Sequence, residues 1–458
     1  MFRRYWSERK YVNGKPTDEY RQTEMPYNDM DYDSYEECMF PDSPVPPADP
    51  NDYYNQYFTI DVSTNTTIYL ASYVPKDELY YSINYGRWTK YNGGFTVKTG
   101  DKVCFKNTSD KAYYFNSTGT IESVIRNLPA TRIYGNLNSM YAGDNFVDDI
   151  RMYSYAYQYW FGGTSIVNVS NLVLPARRLA PSCYYGMFSN CKYLKKTPEL
   201  TATRLADSCY HSMFVYCTSL TETSKLPATT VDYSSYEEMF RGCTALVNAP
   251  ELPATTVDDR GYYLMFRDCT SLTKAPELPA MELGRECYWD IFYGCTALVN
   301  APKLPAIKLA ESCYSGMFSG CTSLVKAPDL PATTLARFCY GSMFSSCTAL
   351  TEVPEILPAT TLAEECYSTM FYGCSKLTRA PELPAKDLVK KCYFQMLWAT
   401  PLITYIKCLA ENGINANDST KDWKSAGYIS GTFVKKKGIT WPSGNNGIPE
   451  GWTVEEVD

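Results

Sequence analysis

Histidine is nearly absent from this chain of 458 residues, with His211 the single example. Catalysis by a nucleophile–histidine pair would rest on that one side chain, and a metal site built on two imidazoles is excluded. No apolar run is long enough to cross a membrane, and no Gly-rich phosphate loop occurs. Positive charge is also short: 43 Lys and Arg against 50 Asp and Glu leave a net charge of −7, which disfavours a nucleic-acid partner. The first ten residues, Met1 to Lys10, carry charge but no apolar core of a secretory signal. These absences predict no nucleic-acid partner, no membrane insertion, no cofactor and no metal, and a binding protein rather than an enzyme. Acids are plentiful, so paired carboxylates for glycoside cleavage stay open.

What is present is a repeat. The Pro of a Leu-Pro-Ala-Thr phrase recurs at Pro175, Pro227, Pro253, Pro279, Pro305, Pro331, Pro358 and Pro384, with Thr201 in the missing place. The step is 26 residues, stretched once by an insertion near Ile356. A Met-Phe pair keeps the same phase from Met187-Phe188 to Met370-Phe371, and Ile291-Phe292 and Met396-Leu397 complete its column. A fixed period of this length is the signature of a solenoid, in which each unit buries its apolar face only against its neighbours. In residues 313–338, Cys313, Met317, Phe318, Cys321 and Leu324 are spaced for a helical or 3₁₀ turn that leads into a straight segment. The stretch from Leu324 to Leu330 is extended but rich in Pro, which suits a coil contributing one thin strand rather than a central antiparallel one. The fold class that results is an α+β repeat, a solenoid of about nine coils.

Fifteen of the 18 cysteines fall in two columns eight residues apart, such as Cys183/Cys191 and Cys313/Cys321. Cys243 and Cys269 lack the first member, replaced by Ser235 and Gly261, and Cys392 lacks the second, replaced by Thr400. Obligate disulfides would not lose one half so readily, and zinc spacing is missing, so the thiols read as small buried core residues. A Tyr follows the first column in every unit, from Tyr184 to Tyr393. Such a ladder suits either a sugar-binding stripe or internal cover between coils, and its invariance favours cover. Binding surfaces vary along a solenoid. The candidate ligand face is therefore the varying strand column Lys196, Glu222, Asn248, Lys274, Asn300, Lys326, Glu352 and Arg379. Beside it runs a second varying column, Glu199, Lys225, Glu251, Glu277, Lys303, Asp329, Glu355 and Glu382.

The flanks differ in kind. Residues 1–56 read as a docking arm. Asn13-Gly14 signals a hairpin whose second arm Pro16 shortens, an acidic aromatic stretch follows, and Pro41 to Pro50 form a stiff linker. Its candidate contacts are Trp6, Arg9, Tyr11, Tyr20, Arg21, Tyr32 and Tyr35. Asp29, Asp31 and Asp33 alternate like a calcium loop but lack its Gly and terminal Glu. Residues 57–150 hold short β-rich runs and read as a β-sandwich-like domain, residues 151–404 as the solenoid, and residues 405–458 as a C-terminal cap.

The phrase Met-Phe-x-x-Cys-x-x-Leu followed by a Leu-Pro turn resembles the BspA-like leucine-rich repeat family, whose core phrase has Ala for Met and whose turn is Ile-Pro. The period here is longer than the family's. The Leu-Pro-Ala-Thr and Met-Phe-x-Gly-Cys-Thr subtype is similar to surface proteins of Bacteroides-type gut bacteria and to virion proteins of their phages. The resemblance implies a leucine-rich-repeat-like solenoid with an adhesive role. With no secretory signal, the expectation is a phage virion protein (head or tail fibre, appendage or decoration). Its arm would dock on other virion proteins, and its repeats would bind a host-surface glycan or protein. A bacterial cell-surface adhesin is the alternative and a carbohydrate-active enzyme the second alternative. A homo-oligomer stays open, although no heptad stretch supports a trimer.

Overall fold

A computed structural model describes residues 5–12, 15–24, 52–71, 78–108, 124–126, 128–147, 152–425 and 429–458, the first two segments as backbone alone. Strand β1 (Tyr5–Val12) pairs antiparallel with β2 (Lys15–Glu24), placing Arg9 opposite Tyr20 and Glu8 opposite Arg21. Pro16 does not shorten the second arm as expected: it lies inside β2, opposite Tyr11. A two-stranded ribbon is all edge, so a residue without an N–H is tolerated there. Tyr32, Tyr35, the three alternating aspartates and the Pro-rich linker lie outside the described residues.

The next strands are β3 (Phe58–Val62), β4 (Thr66–Leu70), β5 (Leu79–Ile83), β6 (Thr89–Lys90), β7 (Phe95–Val97), β8 (Lys102–Asn107), β9 (Ile125–Arg126) and β10 (Ala130–Asn136). They form two sheets, one of order β7-β4-β9 and one that contains β10-β3-β8-β5-β6. Alternation sends Phe58, Ile60, Val103, Phe105 and Ile133 into one continuous core with the repeats. The larger sheet does not end at β10. Strand β11 (Leu172–Val173) pairs parallel with it, so the sheet runs directly into the first coil.

From there the coils stack in parallel. Thin strands β12 (Thr230–Val231), β13 (Thr256–Val257) and β14 (Glu282–Leu283) lie side by side in register, and single bridges such as Lys308 to Thr334 continue the row. The stack does not stop at residue 404. Strand β15 (Tyr405–Cys408), bridged to Arg379, pairs parallel with β16 (Thr432–Lys436), which pairs with β17 (Thr453–Val457). The C-terminal segment is thus further coil, and Trp423, stacked 5.5 Å from Trp441 and edge-to-face with Phe433, fills its interior.

The Met-Phe segment corrects the α+β expectation. Among the described residues the one α-helix is Ser139–Ala142, outside the repeats. In each coil the chain instead runs through consecutive turns with a left-handed residue every fourth position: Ser182, Gly186 and Asn190 in one coil, Ser208, Ser212 and Tyr216 in the next. Hydrogen bonding shows why. The N–H groups of Tyr185, Met187 and Ser189 bond three residues back, to Ser182, Tyr184 and Gly186. Those of Tyr184, Gly186 and Phe188 bond to the next coil, at Cys209, His211 and Met213. An α-helix would spend every donor inside one coil, whereas this spiral divides them and welds the coils together. Each left-handed non-glycine residue costs about 1 kcal/mol or more, which the stacking offsets.

The side-chain columns follow from that frame. Phe188 stacks on Phe214 at 5.5 Å and nearly parallel, and the column continues to Phe371 with spacings up to 5.8 Å. The Tyr column is buried beside it: Tyr210 and Tyr236 stack 5.7 Å apart, both 2% exposed or less. It is cover between coils and no surface stripe. The thiol of each second-column Cys donates to the Phe carbonyl of the preceding coil, as from Cys217 to Phe188 at 3.1 Å and from Cys321 to Phe292 at 3.1 Å. Thr400, in the same column, instead donates within its own coil, to the Leu397 carbonyl. Gly261 is fixed by its neighbours, because a Cβ there would meet the methyl groups of Val257 and Val231 at 2.6 and 2.8 Å. All 17 described cysteines are free and buried.

Two outcomes are expected. Phe266→Ala should destabilise the chain by about 3–5 kcal/mol in urea unfolding followed by circular dichroism, and a loss below about 1 kcal/mol would show that the column does not carry the core. Burial pushes the thiols of Cys269 and Cys374 up to about 12. The folded protein at about pH 8 should therefore leave these thiols unreacted with a disulfide reagent, and the unfolded protein should expose them; fast labelling of the folded state would contradict this.

Candidate functional site

Each coil leaves Leu246 or its equivalent in the core, turns the next two side chains outward and then returns inward, in most coils through a Pro such as Pro250. Parallel bridging stacks these outward positions one per coil. Lys196 lies beside Glu222, Asn248 beside Lys274, Lys274 beside Asn300, Asn300 beside Lys326, and Lys326 beside Glu352. Arg379 begins a further step, bridged to Tyr405, with its guanidinium 4.3 Å from that ring. Bridging thus sets Asn248 to Glu352 in one backbone register, with Lys196 and Glu222 as a second bridged pair.

Two ion pairs join neighbours in the column, Lys196 to Glu222 at 3.0 Å and Lys326 to Glu352 at 3.4 Å. Both are well exposed, so each is worth little to stability and is free to break for a ligand. The second column lies one residue beyond the Pro and forms the other wall of shallow grooves. One groove of about 510 Å³ has Asn248 and Lys274 on one side, Glu251 and Glu277 on the other, and Ala275 and Pro276 between. Another of about 300 Å³ sets Lys326 and Arg379 against Asp329 and Glu355. Both present opposite charges across an apolar floor. The insertion near Ile356 leaves that side chain exposed.

Sequence reasoning passed over a second varying surface, on the turn side. One residue after the buried Tyr column stand Tyr185, His211, Glu237, Tyr263 and Trp289, followed by Ser315, Gly341 and Ser368. The signal was present, since this slot varies in every unit, but only its histidine drew notice. His211 stacks on Tyr185 at 4.4 Å, and its Nδ1 lies 3.7 Å from Glu237. Burial pushes the His211 pKa down to about 4, with Glu238 opposing and Arg260 reinforcing. At neutral pH the ring is therefore neutral. Burial likewise raises the Glu237 carboxyl, and Arg260 holds it at 2.8 Å. Burial pushes Asp290 up to about 6, against the pull of Arg267 2.7 Å away.

From Glu237 an alternating row of charges continues along the rod edge. Arg260 also reaches Glu286 at 3.7 Å, Arg285 meets Glu311 at 3.5 Å, and Arg337 spans Glu311 and Glu365 at 3.4 and 2.9 Å. Lys391 closes the row on Glu365 at 3.7 Å. These pairs sit between coils, so they favour the native register over a slipped one.

Of the candidate docking residues, Trp6, Arg9 and Tyr11 lie on β1 and Tyr20 and Arg21 on β2, while Tyr32 and Tyr35 fall outside the described residues.

No protein-family model matches the chain, and no curated protein does. Among solved structures it is similar to a leucine-rich repeat protein from Bacteroides ovatus, with 18% identity and a TM-score of 0.37 over 63% of this chain and 76% of that one. It is also similar to a leucine rich cell surface protein from Faecalibacterium prausnitzii, with 17% identity and a TM-score of 0.25 over 50% of this chain and 70% of that one.

Proposed function

We propose that this chain is a non-enzymatic recognition protein whose solenoid presents its strand face to a glycan or protein of a bacterial surface. The observation that carries the reading is the contrast between an invariant core and one column of varying, exposed charge, from Lys196 to Arg379, which opens into two grooves. Fold-determined positions repeat, and positions that serve a ligand are free to differ. The reactive side chains support binding over chemistry: the repeat thiols are buried and pushed up in pKa, and the one imidazole is half-buried against Tyr185. The reading is the same for a protein carried on a bacterial surface and for one carried on a phage virion. The β1–β2 hairpin is the proposed attachment point to other virion proteins or to a surface partner.

The test is flow cytometry of the labelled full chain on intact Bacteroides cells. Charge reversal at the grooves (Lys274→Glu with Lys326→Glu) should weaken binding about tenfold or more, the scale of a central contact. Unchanged binding would remove the strand face as the site. Deleting residues 1–24 should leave this binding intact while abolishing association with purified particles or envelope. Whichever of those two fractions holds the native protein decides its setting.

A further inference from the structure

The repeats contain their own controls, because each surface position occurs once per coil on the same frame. At the turn side one stretch departs from the rest. Positions that hold Gly341, Ser342 and Ser345 in one coil hold Glu237, Glu238 and Arg241 in another. Likewise Gly316 and Ser319 correspond to Asp290 and Arg267 in the two coils before. Glycine and serine suit the left-handed slot, yet Glu238, Leu264 and Asp290 occupy it in three successive coils, at φ of 55°, 56° and 50°. Glu237 is 6% exposed and the Asp290 side chain 13%. Buried charge gathers here although neighbouring coils fold with Gly or Ser at the same positions, which is the mark of a site selected for function.

The chemistry of the cluster is specific. Arg260 lies over the Tyr263 ring at 4.3 Å and Arg267 over Tyr293 at 4.1 Å, so both guanidinium planes are fixed by stacking and by carboxylates. The buried Nε–H groups of Arg241, Arg260 and Arg267 have no hydrogen-bond acceptor; Glu286 and Asp268 come only to 3.7 and 3.6 Å of two of them. The part-exposed guanidinium groups of Arg260 and Arg267, the half-buried rings of Tyr263 and Trp289, and the part-exposed carboxylates of Glu238 and Asp268 form a surface for hydroxyl groups and C–H faces. The local charge balance is Arg241, Arg260, Arg267 and Arg285 against Glu237, Glu238, Asp268, Glu286 and Asp290, which offers a polyanion no net positive charge.

We propose that the turn face over residues 237–293 is a binding site for a neutral glycan, distinct from the strand grooves. The full chain would be passed over immobilised neutral oligosaccharides, uronic-acid oligosaccharides and unglycosylated peptides. Two variants accompany it: Trp289→Ser, and the double change Arg267→Ser with Asp290→Gly, which installs residues found in neighbouring coils. The expected result is binding to neutral sugars alone, weakened about tenfold or more in both variants, with no fall in the melting temperature of the double variant because strain is relieved. Lys274→Glu should leave this binding unchanged, which keeps the result independent of the strand-face reading. The proposal is overturned by a wild-type chain that ignores neutral sugars or prefers acidic sugars or peptides. It is equally overturned if the double variant melts lower with its binding intact, or if Lys274→Glu alone abolishes the signal.

Discussion

The division of backbone donors between a coil and its successor is the constraint on which the rest depends. In the turn segment one N–H group in two closes a turn locally and the other reaches the next coil. That arrangement forces a left-handed residue every fourth position, fixes the azimuth of every side chain between, and makes each coil a template for the next. The Phe, Tyr, Met and Cys columns are consequences: once the backbone repeats in strict register, like side chains stack on like, and ring-on-ring contacts near 5.6 Å recur along the rod. Slipping one coil would break the donor ladder, the aromatic columns and the charge row from Glu237 to Lys391 together.

Such a body needs both ends managed, and the two are treated differently. At the N-terminal end the sheet of the β-rich region adds β11 to its own edge, so the first coil grows from a preformed template. At the C-terminal end the coils continue through β16 and β17 while tryptophans replace the stacked rings. Glu455 and Glu456 are exposed on β17, and charge on an edge strand disfavours pairing with another chain. The frame leaves free the outward positions of the strand side and one stretch of the turn side.

Much of this was legible in the residues. The 26-residue step, the Pro that closes each strand, and the unpaired loss of single cysteines gave a repeat with reduced, buried thiols. The six β-rich runs between Phe58 and Phe105 each contain a strand. The helical turn was misread because Cys313, Met317, Phe318 and Cys321 have helical spacing, and a spiral of turns places residues four apart on one side just as a helix does. Periodicity reports which side chains share a face and not which partner takes the backbone donors. Pro16 was misjudged because strand tolerance depends on whether an edge is free, and stacking in residues 405–458 needs no repeated phrase once a templating strand exists.

The sequence alone therefore determined the period, the buried columns and the list of varying positions, because those follow from composition at fixed spacing. Only the tertiary structure decided that Asn248, Lys274, Glu251 and Glu277 wall one groove. It alone decided that Arg267 and Asp290, in different coils and 23 residues apart, share a contact of 2.7 Å. Residues far apart in the chain become neighbours through inter-coil hydrogen bonding, and that bonding pattern is a property of the stacked backbone rather than of any single repeat.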